Sequence, residues 1–185
     1  MLQYFDEMKE VIRNYGLEPG EVIIVGSGAV TVKGGRKNND IEFCVSKKAY
    51  HKIPLRIRLR LIFVDHEDLG GNVDLFRNRY LCMGIKDEIL FQNKWFYEYK
   101  GCGMVRPELE YLYKMHKRRD KDLADMEQIK HDERCKKAFD WDFIEAMEKE
   151  RIPAVYTWYS RFRDVSWRCM KKLERGMGRL RGRKS

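Results

Sequence analysis

The chain predicts an α+β fold: a small mixed β-sheet core flanked by helices, with a helical C-terminal portion. Two observations carry this. Short β-branched or alternating apolar runs bounded by glycines recur through the first hundred or so residues, and from Pro107 onward apolar residues recur at three- and four-residue spacing instead. With 43% hydrophobic residues in 185, the chain can fill a real core as one compact unit, residues 1–105 bearing the sheet and 106–185 forming a helical region with a basic tail.

Phe5, Met8, Val11, Ile12 and Tyr15 make an apolar stripe that stops at Gly16, which predicts an amphipathic first helix. Glu18-Pro19-Gly20 turns the chain into Val22-Ile23-Ile24-Val25, too short for a helix and β-branched throughout, hence a buried strand ending at Gly26. A short helix over 27–33 closes at Gly34-Gly35. The next strand, 41–45, places Asp40 and Glu42 on one face and Ile41 and Phe43 on the other. Leu55, Ile57, Leu59 and Leu61 alternate with Arg56, Arg58 and Arg60, which predicts a half-exposed strand with a basic face. Gly70-Gly71 turns into a strand over 73–76, and 95–99 with 104–105 predicts a hairpin around Gly101 and Gly103. Pro107 suits the first turn of a helix through Leu109, Leu112 and Met115. Further helices are expected over 123–129, from Asp140, and from Ala154.

The net charge of +9 is not spread evenly: Arg161 to Ser185 hold ten Lys/Arg against Asp164 and Glu174, so the body of the protein is close to neutral. That segment suits RNA phosphates or an anionic membrane surface, while Val155, Trp158, Tyr159, Phe162, Val165, Cys169 and Leu173 keep a helical period that suits packing on the core. No run approaches the roughly 18 apolar residues of a membrane span. Five widely spaced cysteines without a CxxC pair read as free thiols of a reducing cytoplasm. His51, His66, His116 and His131 show no ligand spacing and receive no role. Trp95, Tyr97 and Tyr99 form an aromatic face that suits the core better than base stacking.

The informative stretch is Gly26-Ser27-Gly28, then Asp40-Ile41-Glu42, then Asp74. Carboxylates two apart on a strand share a face, where they repel one another unless they ligate cations. A third acid on a neighbouring strand completes the donor set of a two-metal site, and Asp74 fits because Val73 and Leu75 alternate with it. A Gly-Ser turn at the start of a helix offers backbone N–H groups and a hydroxyl to phosphate oxygens.

This pattern, over residues 20–130, resembles the signature of the DNA polymerase β nucleotidyltransferase superfamily, in which a Gly-Ser turn precedes an Asp-x-Asp or Asp-x-Glu pair. Glu42 departs from the commoner Asp. The resemblance implies Asp40, Glu42 and Asp74 as catalytic Mg²⁺ ligands, Gly26 and Ser27 as triphosphate contacts, and NTP as substrate. Lys114, Arg119, Lys121, Asp122 and Asp125 are similar to the K-x4-R-x-KD-x2-D pattern of small antibiotic- and toxin-type members. In that reading Lys114 with Arg119 or Lys121 faces the β- and γ-phosphates and the two aspartates hold the bases; the same spacing also suits a merely stabilised helical pair. Arg36 is a further triphosphate candidate. The family leaves the acceptor open among a small molecule, a phosphosugar, tRNA and a protein. A rival reading is an inactive protein of this fold that binds RNA or membrane through residues 161–185.

Overall fold

The computed structural model describes residues 2–35 and 37–149, with Phe162, Val165 and Cys169 beyond them. The fold is α+β. Among these residues one mixed sheet is formed by β1 (Val22–Val25), β2 (Ile41–Val45), β3 (His66–Asp68), β4 (Val73–Phe76), β5 (Phe96–Tyr99) and β6 (Cys102–Val105), in the order β3-β4-β2-β1-β6-β5. The α-helices are α1 (Phe5–Asn14), α2 (Ser27–Val32), α3 (Leu55–Phe63), α4 (Asp87–Leu90), α5 (Pro107–Lys117), α6 (Asp120–His131), α7 (Glu133–Ala138) and α8 (Trp141–Lys149).

β1 lies inside the sheet between β2 and β6, and all four of its side chains are buried. That explains an unbroken β-branched run where a half-exposed strand would alternate. β2 runs antiparallel to β1 and parallel to β4, and its register sets Glu42 against Val25 on one side and against Asp74 on the other. Residues directly opposite in adjacent strands share a face, so both acids point the same way. The hairpin β5–β6 closes the far edge, with β6 parallel to β1.

One sequence expectation is overturned. Residues 55–61 lie within helix α3 and form no strand. Leu and Arg both favour helix, and the alternation conceals a second stripe, Ile57, Leu61 and Val64, at helical spacing. Leu61 and Val64 are buried, whereas Leu55, Leu59, Ile62 and Phe63 are exposed. β3 and α7 were not expected. β3 is a polar edge strand, His66-Glu67-Asp68, with no apolar alternation to betray it. The helix expected from Ala154 and the basic segment lie outside the described residues, three positions excepted.

Two apolar clusters make the core. The larger lies on the sheet and includes Ile24, Phe43, Leu75 and Met104; the smaller joins Tyr111, Leu112, Met126, Ile129, Cys135, Phe139 and Ile144. α5 feeds both, giving Leu109 and Tyr113 to the first and Tyr111 and Leu112 to the second. Fully burying each such side chain contributes about 1.5–3 kcal/mol. With core on both sides, α5 also buries its polar Glu110, which meets Arg79, and Lys114, which meets Asp125 of α6. Among the described residues no helix is long and apolar enough to cross a membrane.

Candidate active site

A cleft of about 510 Å³ opens where β2, the start of α2, and the α5–α6 corner meet. Its lining brings together the acids Asp40, Glu42, Asp65 and Glu110 and the cations Lys114, Lys117, Arg119 and Lys121. Ser27 stands at the start of α2, with His66, Phe76, Arg79 and Tyr113 completing the lining. Six of the residues singled out in the sequence, Ser27, Asp40, Glu42, Lys114, Arg119 and Lys121, therefore meet in one place.

Gly26 caps α2 with φ 74° and ψ −159°, a conformation that favours glycine. A Cβ added there would overlap Glu42 Oε2, so the glycine is also what lets the carboxylate approach the turn. Asp40 is held through its backbone. The buried Asn38 donates from Nδ2 to the Asp40 carbonyl at 2.8 Å and to the Gln3 carbonyl at 3.1 Å, and accepts from the Gln3 N–H at 3.1 Å. Arg36 lies outside the described residues.

Asp74 does not line the cleft but sits beside Glu42 in the sheet. Burial pushes its carboxyl up to about 6, His66 opposes this, and the negative charges of Glu42, Asp40 and Asp68 add to it. Burial also raises Glu42, against the pull of Arg79 and with Glu110 and Asp40 adding. These acids sense one another's charge, as carboxylates crowded at one sheet end must.

The cations of the lining lie on α5 and at the start of α6. Lys114 Nζ donates to Asp125 Oδ2 at 2.7 Å, with Asp122 Oδ1 at 3.9 Å. Arg119 meets Asp122 in a fork, Nε to Oδ2 at 2.6 Å and Nη2 to Oδ1 at 3.0 Å, and its backbone N–H donates to Oδ2 at 3.2 Å. Burial works against the Arg119 charge, but the Asp122 bond and charge outweigh it and raise its pKa. The aspartates of the pattern thus hold its bases. Lys121 is exposed at the rim.

Two residues missed in the sequence matter here, Arg79 and Glu110. Arg79 bridges Glu42 and Glu110, and Tyr80 Oη donates to Glu110 at 2.9 Å. An arginine in a turn and a glutamate in the first half of a helix carry no sequence signal of this partnership. His66, given no role, lies in the cleft wall with Nδ1 3.0 Å from Asp65 Oδ1 and its ring stacked on Phe76 at 5.0 Å.

Asp40, Glu42 and Asp74 offer only oxygen donors, the chemistry that suits Mg²⁺. Among the described residues no three acids, histidines or cysteines stand grouped around one point as a metal cage. Mg²⁺ is ordinarily held by one or two carboxylates together with phosphates and water, so Asp40 and Glu42, which both line the cleft, could hold one without such a cage. Comparison with family models, with curated proteins and with solved structures finds no match for this chain.

Proposed function

We propose that the protein is a metal-dependent nucleotidyltransferase, which moves a nucleoside monophosphate from an NTP to an acceptor hydroxyl or phosphate and releases pyrophosphate. The supporting observation is one cleft lined together by the acids Asp40 and Glu42, the cations Lys114, Arg119 and Lys121, and Ser27 at the start of α2. Neither a purely acidic nor a purely basic pocket suits Mg²⁺-triphosphate, which presents both signs of charge.

Lys114, Arg119 and Lys121 receive the β- and γ-phosphate oxygens, and the Ser27 hydroxyl and the turn's backbone N–H groups take the rest. Asp40, Glu42 and Asp74 would hold Mg²⁺, which would neutralise charge building on the α-phosphoryl group. Asp74, beside Glu42 in the sheet, is the candidate base for the acceptor proton. The acceptor oxygen attacks the α-phosphorus in line, and the bond to the pyrophosphate oxygen breaks. The five free cysteines suit a reducing cytoplasm.

Isothermal titration with each of the four NTPs and Mg²⁺, in wild type and Asp40→Ala, tests the reading. Saturable, metal-dependent binding lost in the variant supports it. Absence of binding to any NTP sinks it.

A further inference from the structure

We infer that Arg79 is a positioning residue for the acid strand: it occupies one oxygen of Glu42 and thereby commits the other to the cation and phosphate side of the cleft. This rests on the proposed nucleotidyl transfer and deepens it.

Arg79 is fixed in every direction it could turn. Its side chain is 5% exposed; Nη1 donates to Glu42 Oε1 at 3.1 Å, and Nε and Nη2 donate to Glu110 at 3.3 and 2.9 Å. The faces of the guanidinium are covered too, with the Phe76 ring centroid 4.4 Å away and that of Tyr113 4.6 Å away. Two carboxylates define its plane and two rings clamp it, so the atom that meets Glu42 cannot wander.

Glu42 Oε1 is thereby taken. Oε2 is left beside Gly26, where only the absence of a side chain makes room for it. That is the turn proposed to receive phosphate, so the second oxygen of Glu42 and the phosphate-receiving turn stand side by side. Glutamate has one more methylene than aspartate, and that reach lets one residue face the buried arginine and the cleft together. One guanidinium meets two carboxylates, Glu42 and Glu110, so the planar fork is tied at both ends.

The test uses Arg79→Lys, which keeps the charge and loses the planar fork. Mn²⁺ with inorganic tripolyphosphate serves as probe, since it needs no knowledge of the preferred base, and binding is read by electron paramagnetic resonance on protein shown to be folded by circular dichroism. The expected result is Mn²⁺ affinity weaker by about tenfold or more, the usual effect of removing a group that orients a metal ligand. Folded Arg79→Lys that binds Mn²⁺ as wild type does overturns the inference and leaves the nucleotidyltransferase reading standing. Wild type that binds no Mn²⁺ under these conditions overturns both. Should Arg79→Lys not fold, Glu110→Gln loosens the far end of the same clamp. It is expected to weaken Mn²⁺ binding in the same direction, and unchanged affinity there also overturns the inference.

Discussion

Lys114 Nζ lies 2.7 Å from Asp125 and 3.9 Å from Asp122, so one amine on α5 is held by two carboxylates of the next helix. All three side chains are largely buried. Removing one member leaves a charge without its close partner, which costs several kcal/mol, whereas replacing a whole buried pair by apolar groups is often neutral. Asp125→Ala is therefore expected to destabilise the fold by about 2–4 kcal/mol, with Asp122 limiting the loss. Adding Lys114→Met should recover most of that stability without recovering triphosphate binding. Urea unfolding and nucleotide titration on the single and double variants separate the two effects. Nucleotide binding that returns with the double variant would rule Lys114 out as a phosphate contact.

Gly26 gives a second expectation. Its φ of 74° costs about 1–2 kcal/mol for a residue with a Cβ, and that Cβ would overlap the Glu42 carboxylate. Gly26→Ala is expected to lower stability by about 1–3 kcal/mol and to abolish metal-dependent nucleotide binding, because Glu42 must rotate away from the turn. Gly20→Ala, in open space at negative φ, serves as the control. If Gly26→Ala binds nucleotide as wild type does, Glu42 Oε2 has no part in the site.

The acid-bearing part of the sheet could be read from the sequence because β1 is a short β-branched run ended by Gly26, β2 alternates Glu42 with Ile41 and Phe43, and Gly70-Gly71 turns the chain into β4, where Asp74 lies between Val73 and Leu75. Ser27, Lys114, Arg119 and Lys121 were singled out through the resemblance to a family pattern; in the fold they come from different elements, Ser27 from the start of α2, Lys114 from α5, and Arg119 and Lys121 from the start of α6. Arg79 and Glu110 were not, because their partnership spans 31 residues and depends on how α5 lies against the sheet. No local pattern encodes that distance. The seven residues from Leu55 misled because alternation over so short a run satisfies both periods, and the deciding contacts, Leu61 and Val64 against the core, are tertiary.

Lys121 separates binding from stability. It is exposed, lines the cleft and has no buried surface to lose. Lys121→Ala is expected to leave unfolding free energy within about 0.5 kcal/mol of wild type. NTP affinity should fall, and the dependence of that affinity on ionic strength should become shallower, as one screened cation is removed from an anionic ligand. Titrations at two or more salt concentrations check both points. An unchanged salt slope would place the triphosphate away from the α5–α6 corner.

Asp74 makes a prediction whose sign depends on pH. In the folded protein its carboxyl keeps a proton up to about pH 6, while in an unfolded chain it ionises near 3.8. Between those values the folded state binds more protons than the unfolded one, so stability falls as pH rises. The cost is absent below about pH 3.8 and fully developed above about pH 6. Asp74→Asn keeps the shape and removes the charge. In EDTA at pH 7.5 it should melt above wild type; because Asp74 is only partly buried, solvent screening trims the gain to about 1 kcal/mol, or about 2–4 °C. At pH 4 the gain should vanish, since both proteins are then neutral at that position when folded. Added Mg²⁺ and tripolyphosphate should narrow the gap at pH 7.5 by stabilising wild type more than the variant, as expected where ligand binds only the folded state. A melting-temperature difference that stays constant from pH 4 to 7.5 would mean that Asp74 carries no buried charge, and the proposed base would have to be sought elsewhere in the cleft.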